Sequence, residues 1–443
     1  MAGESKRLKR ILAILGCAVP LWAQYAGPAI LSRGDAPAAM TNPQISFRPF
    51  VEITGVYDTG LAGVGLNSQG ELGNSSSPGI QLGWGISGSH SWRHTQVGLD
   101  YRGDIRDYTR TTYYDTTDQS LLLGVKHQIT RHIMINWRNS VGMFSTNFGT
   151  LGLPDTVPFD PSQSFIPTTD FFDNRTIYGS SMVDLIIQRS ARLSFDLGGG
   201  GFFARRRSSA LYGVTGATAK ADVQYRLTRY TTIGAEYTYD HFSFNHLFNS
   251  TDIQGAEATY AVQLTKDTEF TGYAGVMRVE TKFIQATPLD PVIAAILGIT
   301  QAVQVSYGVR YVPNVSARLS RALQHGVIYL DGGHTVTPGN GLFLTSTMSE
   351  VGGGYTYTGL RRWSFNVGGG WDRAKSIGNI QGDYAGSTGT IAVSRQVTRA
   401  VHVVASFSAR NYSSADFAMY NRVIYDMQLG LGFAPGDVPI RIW

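Results

Sequence analysis

Four ionisable residues stand at alternate positions in VGLDYRGDIRDY, residues 97–108: Asp100, Arg102, Asp104 and Arg106, with Val97, Leu99, Tyr101 and Ile105 between them. Acid and base in alternation can pair as salt bridges, line a wet passage or steer charged solutes. They do so together only if the backbone sets them on one side. A strand does this, because same-face side chains recur about every 7 Å along it. Other residue types that suggest chemistry fail on spacing. His90 and His94 would lie about 13 Å apart on a strand, too far for one metal ion. The GISGS stretch at 85–89 resembles a serine elbow but sits mid-strand, without the strand-to-helix turn that makes such a serine reactive. The glycines of 63–73 and 198–201 are not followed by helices, so a phosphate loop is not expected, and Gly198 to Gly201 read as bends or space. No nucleophile, base and orienting partner occur together, so no enzyme activity and no cofactor is expected.

The elements that hold the ladder must then be strands, and the composition agrees. Gly 52, Tyr 23 and Phe 21, with only 16% charged residues, describe a β protein rich in glycine and aromatics. Alternation recurs along the chain. GIQLGWGIS sets Ile80, Leu82, Trp84 and Ile86 on one side; ADVQYRL opposes Ala221, Val223, Tyr225 and Leu227 to Asp222, Gln224 and Arg226. WSFNVGGGWD and VIYDMQLGLGF repeat the pattern. The expected architecture is all-β, a transmembrane antiparallel up-and-down β-barrel of about eighteen strands (sixteen to eighteen) spanning 46–443. Two stretches fit poorly. FTGYAGVMRVE alternates badly, and VQVSYGVRYVPNVSARLSR reads either as one long strand or as a loop element with a strand from Val312.

Polar-basic pairs punctuate the strands: Arg93-His94, Thr130-Arg131, Arg189-Ser190, Thr228-Arg229, Thr265-Lys266, Ser320-Arg321, Arg361-Arg362 and Thr398-Arg399. They mark short turns, whereas the opposite connections are long and variable, as at 59–78, 147–175 and 281–302. Residues 147–176 carry Asp155, Asp160, Asp170 and Asp173; clustered acids suit Ca²⁺, but a plain exposed loop is the preferred reading. Asp290 and Pro291 would open a short apolar helix, too short to span a membrane. Arg205 to Arg207 fall in a long loop, where phosphates or solvent would suit them.

The amino terminus has Lys6, Arg7, Lys9 and Arg10, an apolar run from Ile11 to Val19, and Ala23 as a cleavage residue. Residues 1–23 are expected to be an export signal and 24–45 a periplasmic lead-in. Cleavage removes those four bases and Glu4, so the formal charge of +5 becomes +2. No basic block remains for nucleic acid. Cys17, the only cysteine, leaves with the signal, so no disulfide or thiolate zinc site is expected. Beyond the signal no apolar run reaches helix-spanning length, which leaves a closed barrel as the only membrane-spanning form.

Signal, alternation and turn asymmetry together resemble a Gram-negative outer-membrane β-barrel, porin-like, and the pattern is similar to the predicted porins associated with exopolysaccharide machinery. YDMQLGLGF ends in an aromatic as barrel assembly signals do, but APGDVPIRIW extends beyond Phe433, either as a longer strand ending in Trp443 or as a tail at the rim. The resemblance implies short turns in the periplasm and long loops outside the cell. It implies as partners outer-membrane lipids and lipopolysaccharide, the barrel assembly machinery, and periplasmic polysaccharide-export proteins, with no nucleic acid. The expected lumen-lining residues are Asp100, Arg102, Asp104, Arg106, Arg138, Asp184, Asp222, Arg226, Glu236, Asp372, Arg410 and Asp426. Lys126, Asp196, Lys220, Asp240, Glu257, Arg318, Asp331, Glu350 and Arg422 are in the same register. A passive channel for hydrophilic solutes follows, with carbohydrate or exopolysaccharide as cargo. The alternatives are a general diffusion porin, a structural or adhesion barrel, and a hydrolase built at the rim. Both signs in the lumen imply weak ion selectivity.

Overall fold

The computed structural model describes residues 44–66, 72–109, 116–144, 176–206, 211–288, 301–339, 344–357, 359–377, 382–414, 421–435 and 438–441. The export signal, most of the lead-in, the acidic loop, the short apolar helix, Arg207 and Trp443 lie outside them.

Every element among the described residues is a strand. In chain order they are β1 (Gln44–Leu66), β2 (Leu72–Ser91), β3 (Thr95–Tyr108), β4 (Thr116–Gln128), β5 (Ile133–Phe144), β6 (Thr176–Gln188), β7 (Leu193–Arg206), β8 (Val214–Arg226) and β9 (Thr231–Phe244). There follow β10 (Ser250–Thr265), β11 (Thr268–Pro288), β12 (Gln301–Leu323), β13 (Gly326–Thr337), β14 (Ser346–Tyr357), β15 (Trp363–Ser376), β16 (Asp383–Gln396), β17 (Val401–Ser413), β18 (Arg422–Phe433) and β19 (Val438–Arg441). Each of the first eighteen pairs antiparallel with its chain neighbour, and β1 pairs with β18 from Val51↔Phe433 to Asp58↔Asp426. The sheet is thereby closed into an eighteen-strand barrel. The chain beyond Phe433 runs on along β1, where β19 pairs Val438 to Arg441 with Phe47 to Gln44.

Closure separates the two faces of every strand. Along β18 the outward residues Val423, Tyr425, Met427, Leu429, Leu431 and Phe433 are 41% to 64% exposed. They run roughly 34 Å along the strand, which at the usual tilt rises about 24 to 28 Å, the height of a bilayer's apolar core. Ile53, Leu82, Ile105, Trp137, Val183, Leu197, Ile233, Val276, Leu330, Val351, Val367 and Ile391 extend this apolar surface around the barrel.

Four of the short turns share one construction. Leu227 N and Thr228 N both donate to Thr231 O, and the same double bond recurs at 129–133, 189–193 and 397–401. The Thr or Ser hydroxyl of the polar-basic pair accepts from the amides that follow: His132 N to Thr130, Arg192 and Leu193 N to Ser190, Tyr230 N to Thr228, Ala400 and Val401 N to Thr398. This is the side-chain mimicry that favours Ser and Thr in turns. Ser320-Arg321 is an exception and corrects the turn expected there. That pair lies within β12, opposite Glu269 and Thr268, and the chain reverses at Gln324-His325.

Both poorly alternating stretches are regular strands. β12 is a single 23-residue strand, paired along its length with β11, whereas β13 joins it only from Val315 onward. β11 reads badly because its periodicity changes sign towards the long-loop rim: Met277 and Val279 turn inward and are buried, while Arg278, Glu280 and Lys282 face outward. Arg278 pairs with Glu280 at 2.8 Å and the Lys282 ammonium lies 4.6 Å from the Phe248 ring centre, contacts suited to an interface above the apolar band.

A charge placed on the outer surface tests this assignment. Refolded into lipid vesicles, Leu429→Arg is expected to lose about 2 to 4 kcal/mol of unfolding free energy. Gln428→Arg, one residue away on the inner face, is expected to stay within about 1 kcal/mol of the parent. Urea titration in vesicles measures both, and equal losses would contradict the facing described above.

Candidate functional site

The inner wall gathers the ionisable side chains. The strand registers set all twelve expected lumen residues opposite the exposed apolar series, from Asp100, Arg102, Asp104 and Arg106 on β3 to Asp426 on β18. The β3 ladder pairs along its own strand. Arg102 holds Asp100 in a two-pronged contact, Nε to Oδ1 and Nη2 to Oδ2, each 3.0 Å, and Arg106 Nε lies 3.4 Å from Asp104 Oδ2. The same guanidinium reaches past β2 and β1 to Asp426, 3.9 Å away, a contact that exists only because the barrel closes. Arg106 and Asp426 are nearly inaccessible to water, so removing Arg106 takes this counter-ion from a buried Asp426, whereas removing Asp426 leaves Arg106 its contact with Asp104.

A second network spans β5 to β8. Arg138 Nη2 bonds Asp184 Oδ2, and Lys220 Nζ lies 3.2 Å from Asp184 and 3.5 Å from Asp196. Gly198 faces inward among them: a Cβ there would stand 2.5 Å from Lys220 Cε and 2.6 Å from Asp184 Oδ1. The glycine run therefore supplies space in the wall at this point. Gly386 does the same for Asp372, and Gly83 for Glu52. Asp222 accepts a bond from Gln224 Nε2 at 2.7 Å. Asp372 stands opposite Glu350, and the Arg410 guanidinium lies 4.9 Å from the Tyr412 ring centre.

Inner residues absent from the expected set include Glu52, Asp58 and Asp118. Their alternation with Val51, Ile53 and Tyr57 on β1, and with Leu121 on β4, was a sufficient signal. An apolar layer was not signalled. On the half of the barrel nearer the long loops, Tyr178, Ala204, Val214, Phe242, Phe244, Ile253, Met277, Val279 and Val312 turn inward and form a packed cluster with Leu344. Tyr384, Tyr412 and Ile424 are further buried inner residues, and Tyr108 packs with Val56 as a separate pair. Inner side chains nearer the short turns, such as Asp100, Arg102, Lys126, Arg138 and Glu350, are partly exposed. Around β1 to β5 and β14 to β18 the accessible hollow thus lies on the short-turn side.

Leu344 and Thr345, just before β14, lie inside this apolar layer. Thr345 O accepts from Ile377 N at 2.9 Å, and its hydroxyl meets that of Thr251 on β10 at 2.6 Å. Leu344 and Thr345 thus lie inward, against β10. Elsewhere, His90 packs edge-on against Trp92 with ring centres 4.2 Å apart, and Arg206 bonds Thr176 while Arg205 lies over Phe203. Among the described residues no group of three His, Cys, Asp or Glu converges as a metal site.

No protein-family model and no curated protein matches the sequence. Among solved structures, the chain is similar to OccK5 (OpdH) of Pseudomonas aeruginosa, with 11% identity over 89% of this chain and 98% of that one, TM-score 0.41. It is also similar to OccAB3 of Acinetobacter baumannii, at 9% identity over 89% and 99%, TM-score 0.41. A third is OccK2 (OpdF) of Pseudomonas aeruginosa in complex with glucuronate, at 10% identity over 89% and 98%, TM-score 0.42. These likenesses are weak by both measures; the eighteen-strand barrel stands on its own registers.

The inward placement of Thr345 is checked by Thr251→Cys with Thr345→Cys. Cys17 is the only native cysteine, so a mild oxidant should yield one internal cross-link, read as a reducible gel shift of the heat-denatured protein. Absence of the shift would show that Thr345 does not sit against β10.

Proposed function

We propose that this chain is a channel of the Gram-negative outer membrane through which small hydrophilic solutes pass passively. One observation carries the reading: a closed eighteen-strand barrel with an uncovered apolar outer surface and a wall of paired acids and bases within. Water cannot satisfy backbone groups in hydrocarbon, so a spanning sheet must close, and eighteen strands enclose more space than their own side chains fill. The twelve inner residues named from the sequence are proposed to line the passage, with the short turns in the periplasm. Carbohydrate is the cargo we place first. Gln81, Gln224 and Asn314 stand on the inner wall among carboxylates, a mixture of donors and acceptors suited to hydroxyl-rich solutes. Export of exopolysaccharide is the narrower form of this proposal.

The packed apolar layer favours a second reading, a barrel closed near the long loops that serves a structural or adhesive role. Planar bilayers separate the two. Steady single-channel conductance is expected from the folded protein, and silence from protein that is fully inserted would support the closed barrel. Arg102→Ala with Arg106→Ala should shift the reversal potential in a salt gradient towards cations. An unchanged potential would remove these arginines from the limiting section.

A further inference from the structure

The barrel wall splits between β12 and β13. Their pairing runs from Leu323↔Gly326 to Val315↔His334 and stops there, although both strands continue. Thr335 to Thr337 stay paired with β14 and Tyr307 to Asn314 with β11, but among the described residues these two stretches do not pair with each other. Pro313 lies in this part of β12 and has no N–H to give; proline within a sheet belongs at edges. Val315 stands opposite Ala274 and Tyr311 opposite Arg278, so the split opens at the upper border of the apolar band, towards the long loops. The N–H and C=O groups of its open edge are therefore met by head groups and water rather than by hydrocarbon.

Side chains fill the split in place of hydrogen bonds. The inner apolar layer crosses β6 to β11 and ends on β12 at Val312, which is buried in the same cluster as Leu344. Val336 has the outward parity of Leu330 and His334, yet it packs against that cluster. It can do so because β12 does not pair with β13 beside it, and the apolar layer thereby passes through the wall. On the outside Val309 and Tyr311 flank the split, 47% and 72% exposed. Arg310, between them in sequence, stands opposite the buried Val279. It is exposed and, among the described residues, has no carboxylate or ring partner. A free guanidinium thus sits at the mouth of an apolar passage.

We infer that the split is a side entrance through which a long-chain carboxylate moves between the membrane leaflet on the long-loop side and the inner apolar layer. Its alkyl chain lies among Val312, Val336 and Leu344, and its carboxylate pairs with Arg310, whose planar fork suits that group. An alkyl chain leaving a bilayer gains little from a second apolar surroundings, since it was already out of water. Preference must then come from the head, which is the part Arg310 can recognise. The inference goes beyond the channel reading: it needs the barrel in a membrane, and it does not need the lumen to conduct.

Photo-labelling of the full-length protein in phosphatidylcholine vesicles tests the entrance. The probe is palmitate with a diazirine near its chain end, hexadecanol with the same diazirine is its neutral match, and adducts are mapped by mass spectrometry. Saturable adducts on Val312, Val336 or Leu344, displaced by unlabelled palmitate, are expected from the carboxylate and not from the alcohol. Arg310→Gln should weaken that labelling about tenfold. Arg395→Gln, which removes an outward cation over the Trp363 ring near the short turns, should leave it unchanged. Leu344→Trp fills the passage and should also weaken it. If Leu344→Trp does not fold, Arg310→Gln decides alone, because an exposed side chain is replaced there. Adducts confined to outward residues of the apolar band, equal labelling of Arg310→Gln, or equal inner labelling by the alcohol would each overturn the assignment. Conductance of the same samples keeps the two readings apart. A conducting barrel without inner adducts loses the entrance and keeps the channel; inner adducts without conductance do the reverse.

Discussion

The backbone hydrogen bonds of a sheet must end somewhere, and here the end strands find each other. The pairing of β1 with β18 removes both sheet edges, which in hydrocarbon would expose rows of unsatisfied amide and carbonyl groups. Everything else depends on that closure. Because the pleat alternates with a strict period of two, a closed and registered sheet sorts each residue to the inside or the outside without further instruction. A one-residue slip in any strand would move its whole charged series outward, so closure and charge placement are one constraint.

Long charged side chains on a concave wall need both counter-ions and room. Counter-ions come at two ranges: along a strand, as in Asp100–Arg102 and Asp104–Arg106, and across strands, as in Arg138–Asp184 and Arg106–Asp426. Room comes from glycine. Gly198, Gly386 and Gly83 each lie under an ionic side chain of the adjoining strand, which accounts for inward glycines that would otherwise only weaken a strand. The wall is also layered, with charges below and an apolar cluster towards the long loops, so polarity varies along the barrel axis as well as across the wall.

Much of this was legible beforehand. The Thr and Ser of the recurrent turn pairs are needed to accept amide hydrogens where the chain reverses, and this local requirement leaves a visible signature. Ser320-Arg321 shows its limit: the same residue types also suit a strand, and only pairing with β11 keeps them there. β11 resisted reading because its inner face becomes apolar just where its outer face becomes charged. Alternation survives that change, but the environment each parity denotes is exchanged. Leu344 and Thr345 carried no signal, since nothing local says that two residues just before a strand turn inward.

The sequence by itself determined most of the strands, most of their short turns and the face most side chains occupy, because a two-residue period and turn chemistry act over a few neighbouring residues. Only the tertiary structure decided which residues meet. Arg106 finds Asp426 through closure, four acids line up because β7 to β10 share one register, and Thr345 meets Thr251 across the barrel interior. Those contacts join positions tens to hundreds of residues apart, and relative strand register, which local propensity does not encode, sets their distances.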